Sequence, residues 1–260
     1  MQRSKLIPDE LGLCINKFNY DVLIVQEPYA YKNRMRGFGA KIKVVQCLDQ
    51  TPWAALIVCQ ERWSVMQLSQ FTSGTCAAAQ FAREGLAIYV ASFYFPPNDD
   101  IRVSILEMER VLQALQDQLV IVGVDSNAKN PIWGSDRIDD RGELLLGLFS
   151  QWGYTVLNRQ SEIPTFRSTR GSSFVDVAAY SAGLCNYMRD CVVTHDFTSS
   201  DHALINYEVQ FGHVMQIGDD GGYSGVIVDW RRFIGIIRSH LQVNKVPLVE
   251  SILMLLNYVI

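Results

Sequence analysis

The chain lacks both the cysteine spacing of a zinc site and the net positive charge of a protein covered with basic residues. Its six cysteines include no Cys-x-x-Cys pair, which argues against a structural zinc site. Cys59 and Cys191 lie in apolar runs, where a reduced thiol is the usual state, so we expect a reducing compartment. The net charge of −4 disfavours nucleic-acid binding through a diffuse basic surface, but it allows a local basic patch.

Sequence repeats, low-complexity tracts and a signal peptide are also lacking. The first ten residues, MQRSKLIPDE, are polar, which is not the pattern of a secretory signal. The last apolar stretch, PLVESILMLLNYVI (247–260), is too short to cross a bilayer and contains Glu250. We therefore expect no membrane partner, and we interpret this stretch as an amphipathic helix.

What the chain does contain is an alternation of apolar runs and amphipathic segments, with 48% hydrophobic residues. Apolar runs predict strands at 21–27, 54–59, 86–95, 119–127, 174–180, 190–196 and 203–211. Apolar residues spaced three and four apart predict helices at 4–19, 99–118 and 142–154. This order favours a layered α/β or α+β fold with packed sheets over residues 1–211. Residues 212–225 are Gly-rich and predict a linker, and residues 226–260 predict a separate helical segment at the start of a downstream region.

Polar side chains collect at the ends of the predicted strands, where a fold can bring distant parts of the chain together. These candidates are Glu27, Tyr94, Asp125, Asn127, Asp176, Asp201 and His202. Each one alone also fits a structural role, such as an Asx turn at Asp125 or a solvated strand end at Glu27. Asp176 is harder to explain in this way, because it lies between Val175 and Val177 and a carboxylate within a strand needs a partner.

Taken together, these residues indicate a chemistry that none of them indicates alone. Several carboxylates without a Cys/His cluster suit a hard cation such as magnesium rather than zinc. A histidine with an available carboxylate suits acid–base work or charge stabilisation. The asparagine and the tyrosine supply neutral hydrogen-bond donors. The set fits metal-assisted hydrolysis of a phosphodiester.

Five short motifs carry a resemblance to a known family. They are QEP (26–28), FYFPP (93–97), GVDSNAKNPIWGS (123–135), SSFVDV (172–177) and SSDH (199–202). In this order they resemble the endonuclease/exonuclease/phosphatase superfamily, and within it the apurinic-like endonuclease domain of non-LTR retrotransposons. Residues 139–158 and PTF (164–166) are similar to the insect elements that insert into telomeric or ribosomal DNA. The resemblance covers residues 1–211 and implies a four-layer α/β sandwich with two packed sheets flanked by helices.

The resemblance implies a role for each acidic candidate at the metal or at the water. Glu27 would bind Mg²⁺, with Mn²⁺ as an alternative, and Asp201 would lie near the same ion. Asp125 would orient or deprotonate the attacking water.

The resemblance also implies how the phosphate is held. Asn127 and Tyr94 would donate hydrogen bonds to phosphate oxygens. His202 would lie beside the scissile phosphate, and Asp176 would orient it.

Two segments supply the local positive charge that DNA contact requires. The first, YKNRMRGFGAKIK (31–43), contains no acid and contributes Lys32, Arg34, Arg36, Lys41 and Lys43. Its glycines predict a flexible loop, and an ordinary solvated loop is the alternative. The second, FRSTRGSSF (166–174), predicts a hairpin with Arg167 and Arg170 that could enter a groove of double-stranded DNA.

By this resemblance the chain is expected to be a Mg-dependent endodeoxyribonuclease. It would nick one strand and leave a 3′-hydroxyl that primes reverse transcription by a downstream reverse transcriptase domain of the same polyprotein. It would be made in the cytoplasm and act on chromosomal DNA in the nucleus. Two alternatives stay open: a phosphatase or phosphodiesterase of the same superfamily, and a catalytically impaired DNA-binding remnant. The impaired remnant is an alternative because the family has a first strand that ends in asparagine, and this strand has no counterpart before Gln2. The absence of this strand would leave a neighbouring strand unpaired.

Overall fold

The computed structural model describes residues 4–39, 42–158, 161–195 and 198–211, together with the backbone of 250–259. The chain divides into two compact units, one made of Met1–Val209 with Ile252–Ile260 and the other of Gln210–Ser251. The second unit lies almost wholly outside the described residues, as do the predicted linker (212–225) and residues 226–249 of the predicted helical segment. The architecture that follows is that of the first unit.

Three helices and sixteen strands make up the described part of the chain. The helices are α1 (Ile7–Phe18), α2 (Ile101–Ala114) and α3 (Asp140–Gln151). The first eight strands are β1 (Val22–Gln26), β2 (Ala30–Tyr31), β3 (Arg34–Met35), β4 (Lys43–Gln46), β5 (Ala54–Val58), β6 (Ser64–Gln67), β7 (Cys76–Arg83) and β8 (Leu86–Tyr94). The others are β9 (Val120–Asp125), β10 (Tyr154–Val156), β11 (Phe166–Ser168), β12 (Gly171–Ser173), β13 (Asp176–Ser181), β14 (Met188–Thr194), β15 (Leu204–Phe211) and β16 (Glu250–Val259).

The strands form two six-stranded sheets that pack face to face. The first has the order β14-β15-β16-β1-β5-β4, and the second has the order β10-β13-β9-β8-β7-β6. Buried polar groups join the two sheets: Gln26 Nε2 donates to Ser92 Oγ over 3.1 Å, and Ser92 Oγ donates to the carbonyl of Val25 over 2.8 Å. Two short hairpins, β2–β3 and β11–β12, lie outside the sheets.

Helices cover the outer face of each sheet. The apolar face of α1, with Ile7, Leu11 and Ile15, packs on Leu23 and Ile57 of the first sheet. Helices α2 and α3 pack in the same way on the second sheet. Apolar residues at helical spacing are buried in this way because only one stripe of each helix can reach the sheet. The predicted four-layer α/β sandwich is therefore confirmed. No helix among the described residues is both long enough and apolar enough to span a membrane.

The prediction of a helix at the C-terminal end of the sequence is wrong for residues 250–259. These residues form β16, which pairs in parallel with β1 so that Val22 lies opposite Met254. Because β5 pairs with the other side of β1, β1 has a partner strand on both sides. A short apolar run fits a buried helix or a strand equally well by periodicity, and here main-chain hydrogen bonds with the sheet select the strand.

Candidate active site

The strands β8, β9 and β13 are neighbours in the second sheet, and they place polar side chains side by side at one end of the strands. The parallel pairing of β8 with β9 sets Tyr94 opposite Asp125. The antiparallel pairing of β9 with β13 sets Asp176 opposite Asp125. These residues are distant in sequence, but the register of the sheet brings them into one row.

Glu27 reaches the same place from the first sheet, directly after β1. Its Oε1 accepts a hydrogen bond from the Tyr94 hydroxyl over 2.9 Å, and its N–H donates to the carbonyl of Trp53 over 2.7 Å. Glu27 has a φ of 51° and Asn127 has a φ of 46°, so both adopt the left-handed conformation. That conformation is strained for a glutamate, and strain of this kind clusters at functional sites.

His202 is held by Asp176 through a buried hydrogen bond. The distances from His202 Nδ1 to the two carboxylate oxygens of Asp176 are 2.9 and 3.1 Å, and both side chains are buried. The edge of the Phe166 ring also contacts the imidazole, with 4.8 Å between the ring centroids. Because Asp176 fixes the proton on Nδ1, Nε2 is the nitrogen left for a substrate.

Thr165 fixes both members of this pair, and its role was not recognised from the sequence. Its carbonyl accepts from the N–H of Ala203 over 2.7 Å, next to His202. Its Oγ1 accepts from the N–H of Asp176 over 3.1 Å. Thr165 is fully buried, so this one residue sets the spacing between the strand that carries Asp176 and the turn that carries His202.

A cavity of about 200 Å³ lies between these side chains. Its lining comprises Glu27, Tyr94, Pro97, Asp125, Asn127, Phe166, Ser173, Val175 and His202. Five of the seven candidates from the sequence therefore share one cavity, and Asp176 joins them through His202. Asp201 is half-buried, lies in a bend and is not among the residues that line the cavity. Its place near the metal stays a prediction.

Arg141, at the start of α3, ties the loops of this site together and was also missed in the sequence. Its guanidinium donates hydrogen bonds of 2.9 to 3.5 Å to the main-chain carbonyls of Phe95, Pro96, Asp99, Ser126 and Asn127. These carbonyls belong to the loops that directly follow Tyr94 and Asp125. No local pattern marks such a residue, because its partners come from two distant segments.

The electrostatics of the cavity reflect an excess of buried negative charge. Burial and the charge of Asp176 raise the pKa of Asp125 to about 8, although His202 partly opposes this. Burial lowers the pKa of His202, but the charge and hydrogen bond of Asp176 outweigh burial and leave that pKa above its ordinary value. The cavity therefore favours bound positive charge and protons.

The donor atoms fit a hard divalent cation. Ligand atoms of Asp125, Asp176 and His202 all lie within 4.8 Å of one another, and Glu27 lines the same cavity. His202 Nδ1 and the Asp176 carboxylate are engaged with each other, which leaves the carboxylates of Glu27 and Asp125 as the oxygen donors of the cavity. Carboxylate oxygens are the ligands that Mg²⁺ and Mn²⁺ prefer.

The basic residues predicted for DNA contact lie on the two small hairpins and nearby. In the first segment Lys32, Arg34, Arg36 and Lys43 are exposed, while Lys41 lies outside the described residues. This segment includes the β2–β3 hairpin where a flexible loop was predicted. The predicted second hairpin is present as β11–β12, with Arg167 and Arg170 exposed. Phe166, at its base, lines the cavity.

Comparison with known proteins gives one coherent group of relatives. The model of the "Endonuclease-reverse transcriptase" family matches residues 88–206. The Pol polyprotein of the type-1 retrotransposable element R1 of Bradysia coprophila is 23% identical in an alignment of 238 residues that covers 85% of this chain. A putative 115 kDa protein of the element R1DM of Drosophila melanogaster is 24% identical in an alignment of 213 residues that covers 78% of this chain. The chain spans only 24% and 20% of the length of these two relatives.

Solved structures agree with this grouping. The endonuclease domain of TRAS1, a telomere-specific non-LTR retrotransposon, superposes with a TM-score of 0.70 and 29% identity. That match covers 78% of this chain and 91% of the TRAS1 domain. The AP endonuclease of Leishmania major has a TM-score of 0.60 at 14% identity, over 75% of this chain and 80% of its own, and shares the fold.

Removal of the Arg141 guanidinium should loosen the two loops that it joins. We expect Arg141→Ala to lower the free energy of unfolding by about 1–3 kcal/mol, because four partly buried carbonyls lose their donor. Arg141→Lys should recover little of the lost free energy of unfolding, since one ammonium cannot reach all five carbonyls. Hydrogen–deuterium exchange should speed up in 95–99 and 126–128. Arg102→Ala, at an exposed arginine of α2, is the control and should change neither quantity; equal exchange in Arg141→Ala and wild type would contradict the assignment.

The raised pKa of Asp125 predicts how stability depends on pH without metal. When the pKa of a carboxyl is raised in the folded state, the folded protein loses stability as the pH rises from the ordinary pKa of that group toward the raised one, here about 8. In EDTA, Asp125→Asn should therefore be more stable than wild type, and the difference should grow by at least about 1 kcal/mol between pH 5 and pH 8. Urea unfolding at both pH values measures it. The exposed Asp136→Asn is the matched control, and a pH-independent difference for Asp125→Asn would refute the prediction.

Proposed function

Because the chain belongs to the endonuclease/exonuclease/phosphatase superfamily, in the form found in non-LTR retrotransposons, we propose that it is a Mg-dependent endonuclease that nicks one strand of double-stranded DNA. The observation that carries the proposal is the buried His202–Asp176 pair, whose histidine lines a cavity of about 200 Å³ together with Glu27 and Asp125. Hydrolysis of a phosphodiester needs a base for water and a positive group for the developing charge. In this proposal Asp125 is the base and His202 is the positive group.

Asp125 is the proposed base for the attacking water. Burial and the charge of Asp176 raise the pKa of Asp125, which makes its carboxylate a stronger base than an exposed one. The N–H of Asn127 lies 3.4 Å from Asp125 Oδ1, so the loop itself restrains the carboxylate.

His202 is the proposed positive group beside the scissile phosphate. Asp176 accepts from Nδ1 and favours the imidazolium, so that Nε2 can donate to a phosphate oxygen. This donation becomes stronger as charge develops on the phosphate. The proposed role of Asp176 is thus to orient His202 and not to contact the substrate.

Neutral donors and the metal complete the proposed site. Asn127 and Tyr94 line the cavity and would donate to phosphate oxygens, Tyr94 in exchange for its hydrogen bond to Glu27 and Asn127 in addition to or in exchange for its bond to the Phe95 carbonyl. Glu27 would hold Mg²⁺ or Mn²⁺, and Asp201 would lie near the same ion. A bound divalent cation would supply a Lewis acid for the phosphate.

The relatives support a proposal about the biological setting. One is a retrotransposon Pol polyprotein and the other a protein of a type-1 retrotransposable element, and this chain spans about a quarter or less of each. We therefore propose that a reverse transcriptase domain of the same polyprotein is its partner. The nick would leave a 3′-hydroxyl that this domain extends on chromosomal DNA in the nucleus.

The two basic hairpins are the proposed DNA contacts. One follows Glu27 in the chain and the other begins at Phe166, and both of these residues line the cavity. The first would hold phosphates irrespective of sequence, because it presents several exposed charges on a short hairpin. The second would enter a groove and influence which sites are cut.

Loss of the histidine pair should abolish chemistry and not DNA binding. We expect His202→Ala to slow Mg²⁺-dependent plasmid nicking by about 10²–10⁴-fold, because a positioned acid–base group contributes that much. Asp176→Ala should also be strongly impaired, and the double variant should be little worse than the worse single one, since the two residues act as a unit. Glu84→Gln, in the exposed turn after β7, is the control and should nick normally.

The same assay separates the alternatives. Near wild-type nicking by His202→Ala would refute the proposed site. A wild type that binds DNA but never nicks it would indicate the impaired remnant, and release of phosphate from small esters without nicking would indicate a phosphatase.

Charge removal on the two hairpins should have different effects. The triple change of Lys32, Arg34 and Arg36 to Ala should weaken binding to all DNA alike and reduce the slope of log K against log salt by about three, one unit for each lost phosphate contact. The double change of Arg167 and Arg170 to Ala should shift or broaden the nicked sites while nicking continues. Sequencing of nicked ends measures the second effect; an equal loss at every site would identify the hairpin as a phosphate clamp.

A further inference from the structure

A second and larger cavity adjoins the candidate active site. It is a groove of about 680 Å³ between the loop that precedes β5 and helix α2. Tyr94 lines both this groove and the smaller cavity that contains His202. A nucleotide chain with its phosphate beside His202 would therefore bring a neighbouring nucleotide to the groove.

One wall of the groove is the half-buried indole of Trp53. Its ring stacks on the Tyr94 ring with 5.3 Å between centroids and 12° between planes. Its backbone is fixed at both polar groups: the N–H donates to the carbonyl of Gly74 over 2.6 Å, and the carbonyl accepts from the N–H of Glu27. Trp53 is thus a rigid aromatic platform that is tied to two residues of the candidate active site.

The opposite wall is apolar and exposed. Val103 and Leu106 of α2 are 69% and 60% exposed and line the groove. An aromatic wall that faces an apolar wall suits a flat ring with little charge.

The charges of the groove disfavour a phosphate as its main occupant. Asp99, Glu107 and Arg110 line it, so acids outnumber bases there. The Glu107 carboxylate already accepts hydrogen bonds from the hydroxyls of Ser73 and Thr75, at 2.5 and 2.8 Å. An uncharged nucleobase fits this composition better than the anionic backbone does.

We infer that this groove binds the base of a nucleotide next to the scissile phosphate, with the base stacked on Trp53. The inference rests on the proposed function. The base has to leave the helical stack to enter, which a mismatch or a flexible pyrimidine–purine step makes easier. Stacking does not distinguish strongly between bases, so the groove selects DNA that unstacks readily at this position.

The test uses one duplex that contains a mapped nicking site and a series of derivatives. Each derivative carries a single abasic analogue at one position flanking the site, and cuts are mapped so that cleavage at the analogue itself is scored separately. For the wild type we expect one position at which loss of the base slows nicking about tenfold, because a stacked base contributes on that scale.

The variants show whether Trp53 is responsible. Trp53→Ala should nick the intact duplex about tenfold more slowly and lose its sensitivity to the abasic analogue at that position. Trp53→Phe should keep part of the nicking rate and part of the sensitivity to the abasic analogue. Val103→Trp, which fills the groove from an exposed helix position and spares the sheet, should behave like Trp53→Ala. Met66→Ala, at an exposed position on β6, is the control and should behave like the wild type.

The outcomes separate the inference from the proposed function. If the wild type nicks DNA but no flanking position is sensitive, or if Trp53→Ala keeps the wild-type sensitivity, the nucleobase site is refuted and the endonuclease stands. If the wild type nicks none of the duplexes, the proposed function falls and the inference falls with it.

Discussion

The candidate active site depends on a concentration of negative charge where strands of the two packed sheets end. Asp125 and Asp176 lie opposite each other on neighbouring strands, and Glu27 enters from the other sheet. Among the described residues that line the cavity, His202 is the only one that can offset this charge with its own. Burial and the charge of Asp176 raise the pKa of Asp125, and a bound cation or proton would relieve the unfavourable charge. The arrangement costs stability without a ligand, and it is therefore best explained by function.

The acidic side chains are held in place mostly by hydrogen bonds that involve main-chain groups of the surrounding segments. Arg141 joins the loops after Tyr94 and Asp125, and Thr165 joins the segments of Asp176 and His202. Such contacts fix the positions of strand ends without placing another charged side chain in the cavity. They allow the site to be rigid while it remains open to a ligand.

Much of the site could be predicted from the sequence, because its residues follow apolar strands in short motifs. The parts that could not be predicted depend on tertiary partners. β7 (CAAAQFAR) is rich in alanine, which favours helices, but its pairing with β8 makes it a strand. β16 takes its conformation from β1, while the roles of Arg141 and Trp53 arise only where distant loops meet.

The central claim is that the carboxylates of the cavity bind a divalent cation, and calorimetric titration of Mn²⁺ into the protein without DNA tests it most directly. We predict binding of one ion per chain by the wild type, with at least about tenfold weaker binding by Glu27→Gln. Asp125→Asn should also bind more weakly, and Glu84→Gln should bind like the wild type. Equal Mn²⁺ affinity in the wild type and in Glu27→Gln would contradict the claim.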